Sequence, residues 1–203
     1  MTFTKQEKVL IATNILGVFG FTAWFFISGN YEFILYVVVL AGLMGLVLST
    51  HQYFHYSIGV LWALTAWSFL HLCGGGLDVA GDTLYNLMLI PIVGDPYYIL
   101  KYDQAVHFFG FWTTAILTYY ILKPSLKENA TNIRSIIFII VMTSLGLSAM
   151  NEIIEFTTTL FTENNVGGYE NTAIDLVANF LGALGAGIYL RYKYFNKNNN
   201  SLE

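Results

Sequence analysis

The chain has 203 residues, of which 56% are hydrophobic and only 11% are charged, and its 9 basic and 13 acidic side chains give a formal charge of -4. An apolar share of this size exceeds that of an ordinary soluble domain and indicates an integral membrane protein. The few scattered basic residues argue against nucleic acid as a partner, and a single cysteine, Cys73, excludes an intramolecular disulfide and a cysteine-based zinc knuckle.

Six apolar segments have about the length that a membrane-spanning helix needs, which is roughly 20 residues for a hydrocarbon layer of about 30 Å. The first resembles a signal peptide, but it is too long and no cleavage site follows it, so we expect a retained helix. The sequence predicts an all-α, polytopic membrane bundle of about six transmembrane helices, formed by one domain (1–195) and followed by a polar tail (196–203) with a possible cloning remnant. In chain order the segments are residues 9–27, 33–48, 57–72, 105–122, 136–156 and 173–192.

The positions of two connections between these segments can also be predicted. His51 and His55 fall between the second and third segments, where we expect interfacial surface residues. The connection 73–102 is too long for an ordinary loop and too rich in glycine and proline for a seventh span. Its apolar stretch, 84–93, has the length of an interfacial or re-entrant segment. We predict that this connection covers the bundle at the outer leaflet.

The basic residues predict the orientation, because Lys and Arg are enriched in cytoplasmic loops. Six helices place both termini on one side, and only Lys101 falls on the other side. We therefore expect both termini in the cytoplasm. The eight basic residues on the side of the termini are Lys5, Lys8, Lys123, Lys127, Arg134, Arg191, Lys193 and Lys197.

Ionisable side chains are rare in these segments, and each is costly in hydrocarbon, by about 3 kcal/mol on insertion scales. The acids and histidines fall near the predicted outer ends of the helices. Spacings of three or four residues place five of these six residues, together with Asn179, in three pairs on single helix faces. We expect these faces to converge on an outward-facing cavity. The six residues are His71, Asp103, His107, Glu152, Glu155 and Asp175.

Two interpretations of this set stay open. Four carboxylates need compensating charge, which a divalent metal or shared protons would supply, and inward-facing carboxylates and histidines hold metal in other helix bundles. All six residues are candidate metal ligands. Alternatively, the same groups only fix helix packing, and Asp103 and Asp175 only cap helices. The candidate catalytic residues are Glu152, Glu155, Asp103 and His107.

Three motifs carry a family resemblance: YDQAVHF at 102–108, NEIIEF at 151–156 and NTAIDL at 171–176. Their order resembles the YjdF-type bacterial inner-membrane proteins and, more distantly, the VanZ-like family, over residues 101–192. The resemblance implies a bacterial cytoplasmic membrane and a set of acids and histidines that act together. Glu155 stands where VanZ-like proteins have glutamine, and no arginine separates Glu155 from Asp175. The antibiotic resistance associated with that family is therefore not carried over.

The leading hypothesis is a membrane enzyme that acts at the outer leaflet on a lipid or lipid-linked substrate, as a metal-assisted hydrolase or transferase. One alternative is a small proton- or cation-coupled transporter, which would need access to the site from both sides. Another is a non-catalytic membrane protein that binds a lipid or a protein. Neither the metal nor the oligomeric state follows from the sequence.

Overall fold

The described part of the chain folds as a bundle of long helices. The computed structural model describes residues 3–126, 132–160 and 168–195. Within these ranges six helices are long and apolar enough to cross a membrane, which confirms the predicted all-α membrane bundle. The helices are α1 (Lys5–Ser28), α2 (Tyr31–Phe54), α3 (Ile58–Gly76), α4 (Tyr102–Leu122), α5 (Ile133–Thr159) and α6 (Tyr169–Leu190).

Some features of the sequence prediction fall outside this description. The polar tail, 196–203, and the basic residues Lys127 and Lys197 lie outside the described residues. The assignment of residues 1–195 to one domain stays a prediction.

Side-chain caps explain why the first helices begin and end where they do. Thr4 and Glu7 form a reciprocal capping box at the start of α1. Gly29, at a φ of 72°, ends α1 in the left-handed conformation that glycine adopts without strain. Asn30 and Ser57 then accept hydrogen bonds from backbone N–H groups in the first turns of α2 and α3. Each short connection thus ends one span and begins the next.

Helices α4 and α6 pack closely in the centre of the bundle. Gly182 of α6 lies against the backbone of α4, and a Cβ atom at this position would collide with the carbonyl oxygen of Phe108. Helix α4 also packs on α3 and α5, while α1 contacts α2 and α3. The close α4–α6 contact places polar side chains of these helices opposite one another one turn away, at His107 and Asn179.

His51 differs from the sequence prediction. It lies within α2, is buried, and has its Nε2 atom 2.9 Å from Oε1 of Glu7 in α1. The expectation of a surface residue is wrong, because the buried imidazole has a carboxylate partner on the neighbouring helix. His55 ends α2 and is exposed, as expected.

The long connection contains two small antiparallel hairpins, β1 (Asp78–Val79) with β2 (Asp82–Thr83), and β3 (Met88–Val93) with β4 (Ile99–Lys101). A 3-10 turn, Leu84–Asn86, lies between the hairpins and contacts α3 and α4, so the connection covers the ends of these helices. The predicted interfacial stretch therefore folds as this turn and strand β3. Its apolar side chains Ile90 and Ile92 are exposed.

Helix α3 extends four residues beyond the predicted span and includes the glycine run 74–76, so this run belongs to the helix and not, as predicted, to the connection. These glycines are needed for packing, because the ring of Tyr85 occupies the space of a Cβ atom at Gly74. At Gly75 the ring of Phe33 does the same.

Candidate functional site

Five of the six predicted site residues meet at one end of the bundle, the end that carries the long connection and is called here the connection end. Buried His107 of α4 lies at their centre, 3.6 to 3.9 Å from oxygens of three of the acids. Asp175 of α6 is completely buried beside them. The polar faces of the three helices therefore converge as the sequence predicts. We call the five residues the His107 cluster: Asp103, His107, Glu152, Glu155 and Asp175.

Asn179 fixes the orientation of the His107 ring. Its amide nitrogen lies 2.7 Å from Oγ of Ser148 and 3.4 Å from Oε1 of Glu152, both of which accept. The amide oxygen therefore faces Nδ1 of His107, at 3.1 Å, and accepts a hydrogen bond from it. With the Nδ1 proton held in this way, a neutral imidazole presents an unprotonated Nε2.

The cluster acids approach both edges of this ring. Oδ1 of Asp103 lies 3.6 Å from Nε2, and Oε1 of Glu155 lies 3.9 Å from the same atom. Oε1 of Glu152 lies 3.7 Å from Nδ1, on the edge that Asn179 already occupies. The free nitrogen of His107 thus faces Asp103 and Glu155.

Asn171, which is not among the predicted site residues, links two acids of the cluster. Its amide nitrogen donates to Oδ2 of Asp103 at 3.4 Å and to Oδ2 of Asp175 at 2.5 Å. The other carboxylate oxygen of Asp175, Oδ1, is buried and has no hydrogen-bond partner among the described residues. The signal was present in the NTAID motif, because Asn171 precedes Asp175 by one helical turn.

Lys101 completes this arrangement at the start of α4. Its Nζ atom donates to Oδ1 of Asn171 at 2.8 Å and to Oδ1 of Asn86 at 3.4 Å. The sequence identified Lys101 only as a marker of orientation. The structure joins it to the cluster through one asparagine side chain.

The donor atoms fit a metal ion in part of the cluster. Atoms of Asp103, His107 and Asp175 lie within 4.8 Å of one another, and so do atoms of His107, Glu152 and Glu155. Ligands bound at about 2.1 Å are separated by roughly 3.0 to 4.2 Å, so shifts of a few tenths of an ångström would complete either group. Only Nε2 of His107 is free to bind, so one ion can use this ring.

His71 occupies a separate position from these groups. Its ring packs among aromatic side chains, and its Nδ1 atom lies 2.8 Å from the hydroxyl of Tyr85. Tyr85 donates its proton to the backbone carbonyl of His71 at 2.6 Å, so Nδ1 of His71 donates to the Tyr85 oxygen. Burial raises the pKa of the Tyr85 hydroxyl well above its usual range, which keeps it a donor. Tyr85 is not identifiable from the sequence, because no pattern in the long connection distinguishes it.

A cavity of about 580 Å³ adjoins the cluster at the connection end. Its wall includes His71, Asp103 and Glu155 of the predicted site, together with Glu32 and Lys101. The volume is typical of a small-molecule site. His71 therefore belongs to the cavity that adjoins the cluster, although it is outside the two groups of mutually close ligand atoms.

Residues 9–196 match the profile of the family described as "Predicted membrane protein (DUF2238)". No curated protein and no solved structure matches the chain. The match is consistent with the YjdF-type resemblance, while the VanZ-like resemblance stays a prediction. Because the matched range contains all six helices almost completely and every residue of the cluster, the chain belongs to this family of multi-pass membrane proteins.

Proposed function

We propose that this protein is a membrane-embedded enzyme with a divalent metal site, and that it acts on a lipid or lipid-linked substrate as a metal-assisted hydrolase or transferase. The site lies at the outer face of the bacterial cytoplasmic membrane. Asp103, His107 and Asp175 hold the metal, and Glu155 acts as the general acid or base at the wall of the cavity.

The arrangement around Asn171 carries this proposal. One amide nitrogen binds the Oδ2 atoms of both Asp103 and Asp175. This leaves Oδ1 of Asp103 facing Nε2 of His107 and Oδ1 of Asp175 without a partner among the described residues. Two carboxylate oxygens and one imidazole nitrogen are thus available, and each ligand is oriented by an asparagine, as outer-shell groups orient metal ligands in proteins.

The charge balance supports a cation at this position. The cluster contains four carboxylates and one imidazole, and a buried charge without a counterion is strongly unfavourable. Oε2 of Glu152 is a second buried carboxylate oxygen without a partner in the described part of the chain. A divalent cation or shared protons would neutralise these groups, and the three available donor atoms favour the cation.

Glu155 is suited to proton transfer beside such a site. It lines the cavity, and its Oε1 atom accepts a hydrogen bond from the Asn151 amide at 2.7 Å. A bound divalent ion would supply Lewis-acid activation of a substrate oxygen or of water. Glu155 would take or return the proton, while Glu152 orients Asn179 and thereby His107.

The position of the cavity supports an amphiphilic substrate on the outer side. It lies at the end of the bundle opposite the start of α1 and the end of α6, and Lys101 is the only lysine or arginine in the described connections at that end. The distribution of the other basic residues favours a cytoplasmic location for the termini. A site at a helix end can receive a lipid head group while the chains of that lipid stay in the bilayer.

The interior of the bundle gives little support to a transport function, which would need a polar path from the cluster to the other end. Beyond the cluster, the buried hydroxyls of Thr113, Thr118 and Ser144 donate to backbone carbonyls. The helix halves near the termini pack through an apolar core that includes Leu61 and Ile140. The described residues thus offer no chain of ionisable groups from the cluster to the other end.

Metal analysis of three variants tests the ligand assignment. The protein is purified in metal-free buffer, reloaded with Mn²⁺, and measured by plasma mass spectrometry. We expect about one ion per wild-type chain, loss of this ion in Asp175→Asn, and retention in Glu170→Gln, which changes an exposed acid of the same helix. Retention in Asp175→Asn together with loss in Glu155→Gln would move the ion to the other group and overturn the assignment.

Turnover is tested separately on bacterial lipids. Wild type and Glu155→Gln are reconstituted with a total lipid extract and Mn²⁺, and lipid species are compared by mass spectrometry. The proposal predicts a product that forms with wild type and is absent with Glu155→Gln. A metal-loaded wild type that changes no lipid would refute the enzyme, and cation flux in proteoliposomes would then support transport.

A further inference from the structure

The cavity at the connection end has an acidic wall. Glu32, Asp103 and Glu155 line it, together with one lysine, Lys101. The Nζ atom of this lysine donates to two neutral asparagine oxygens, and none of the ion pairs among the described residues includes it. If the proposed metal neutralises Asp103, the two glutamates still outnumber the lysine. The wall therefore attracts a cationic ligand.

Glu32 is an acid of this wall that the proposed metal site does not use. It is partly buried and has no hydrogen bond or ion pair with any described residue. The carboxylate of Glu155 repels it electrostatically. Oε1 of Glu155 accepts a hydrogen bond from Asn151, which leaves Oε2 available for a ligand. A cation bound between the two carboxylates would relieve their repulsion.

His71 adds a buried hydrogen-bond acceptor to the same wall. Its side chain lines the cavity although the residue is only 8% exposed. Because Nδ1 donates to the oxygen of Tyr85, the neutral ring presents an unprotonated Nε2 atom. No described residue donates a hydrogen bond to this atom. Independently of the acids, His71 thus indicates a ligand that carries a hydrogen-bond donor.

Aromatic rings of Phe33, Tyr36 and Tyr85 also line the cavity. The ring centroid of Phe33 lies 5.1 Å from that of Tyr36 and 6.2 Å from that of Tyr85. Aromatic faces attract organic ammonium groups, whereas hard metal ions such as Mg²⁺ and Ca²⁺ prefer oxygen ligands and water. Carboxylates beside aromatic rings therefore favour an organic ammonium. The acceptor on His71 favours one that retains its N–H bonds.

We propose that the cavity binds the primary ammonium group of an organic ligand. Its three N–H bonds donate to the carboxylates of Glu32 and Glu155 and to Nε2 of His71, and the aromatic rings surround its alkyl part. This inference rests on the proposed function, because it names the chemical class of the substrate at the same site. An amine-bearing lipid head group and a soluble amine share this chemistry.

Two glutamates provide a matched pair of variants. Glu32 and Glu170 each stand second in a helix and directly follow a tyrosine, so both are stabilised by a helix dipole. Glu32 lines the cavity, whereas Glu170 is exposed and does not line it. Glu32→Gln and Glu170→Gln therefore remove the same charge from equivalent helix positions, and only the first alters the proposed site.

The test is scintillation proximity binding to the full chain in dodecyl maltoside micelles, which carry no amine and no charge. Tritiated phosphatidylethanolamine represents the lipid source, and tritiated ethanolamine represents the soluble source. We expect saturable binding of at least one probe, with at least tenfold weaker displacement by its N-acetylated and N-trimethylated forms. Glu32→Gln should weaken binding by about 10- to 100-fold, as expected for loss of a charged hydrogen-bond partner. Glu170→Gln should bind like wild type.

Binding of either probe with this dependence on Glu32 supports the proposal, and the probe that binds identifies the source. The absence of saturable binding, undiminished binding to folded Glu32→Gln, or an equal loss in Glu170→Gln would overturn it. Equal displacement by the N-acetylated or the N-trimethylated form would also exclude a primary ammonium. Binding requires no turnover, and Asp175→Asn should lose the metal but keep the amine. Failure of the amine site is therefore distinguishable from failure of the metal site.

Discussion

Substitution of Asn179 tests how the cluster is held together. Asn179 is completely buried and does not line the cavity, so its substitution changes the support of the cluster without changing the cavity wall. Substitution Asn179→Leu keeps the approximate size of the side chain and removes its hydrogen bonds to His107, Ser148 and Glu152. Hydrogen bonds between membrane helices average about 0.6 kcal/mol and reach about 1.7 kcal/mol. The three bonds, together with the buried groups left unpaired, predict a loss of about 2 to 4 kcal/mol in the free energy of unfolding.

The same substitution should also weaken metal binding, since Nδ1 of His107 would lose the acceptor that orients the ring. Loss of such an outer-shell contact typically lowers metal affinity by about 10- to 100-fold. Unfolding in mixed micelles and Mn²⁺ titration by calorimetry give the two quantities independently. Wild-type Mn²⁺ affinity in a folded Asn179→Leu protein would refute the orientation of His107 described above.

Asn14→Leu is the matched control for this prediction. Asn14 also joins two helices through its amide, donating to Thr65 at 2.8 Å, but it lies far from the cluster in sequence and contacts none of its residues. The variant should lose about 1 kcal/mol of stability and keep its Mn²⁺ affinity. A drop in affinity as large as that of Asn179→Leu would show that any polar contact between helices affects the metal.

Three further predictions concern the scaffold. Gly182→Ala should lower the free energy of unfolding by about 2 to 3 kcal/mol, because its Cβ atom would collide with the Phe108 carbonyl and separate α4 from α6. Tyr85→Phe should cost about 1 to 2 kcal/mol by removing the hydroxyl that binds His71, while Mn²⁺ binding is retained. Glu7→Gln should cost less than about 1 kcal/mol, because its ion pair lies at a partly exposed helix end. All three are measured by unfolding in mixed micelles.

Two controls make the first two of these predictions specific. A Cβ atom at Gly20 would meet open space, so Gly20→Ala should leave stability within about 0.5 kcal/mol of wild type or raise it. Tyr97 is 52% exposed, and Tyr97→Phe should have no measurable effect. Equal losses in test and control variants would contradict the packing described for Gly182 and the hydrogen bonds described for Tyr85.

Much of the fold could be predicted because lipid imposes simple rules on a sequence. Long apolar segments predicted the six helices, and the cost of burying charge in hydrocarbon predicted that the helix faces carrying Asp103, Glu152 and Asp175 would converge. The helix ends were less accurate. Helix α3 continues through the glycine run, and the rings of Tyr85 and Phe33, which occupy the Cβ positions of Gly74 and Gly75, are contacts that no local pattern predicts.

The contacts that orient the site could not be predicted from periodicity. Lys101, at the end of β4, contacts Asn171 of α6, and no local pattern shows which amide a lysine will contact. His51 was misjudged for the same reason, since its partner Glu7 lies 44 residues away on α1. Sequence patterns identify the face of a helix, whereas the pairing of side chains depends on how the helices pack.

The proposed function depends on coordination of a divalent metal by Nε2 of His107. Pulsed electron paramagnetic resonance of the Mn²⁺-loaded protein detects the coupling of a directly bound imidazole nitrogen. We expect one such nitrogen in wild type, its loss in His107→Gln and its retention in His71→Gln and His51→Gln. Mn²⁺ bound without nitrogen coupling, or coupling that persists in folded His107→Gln, would refute coordination by His107.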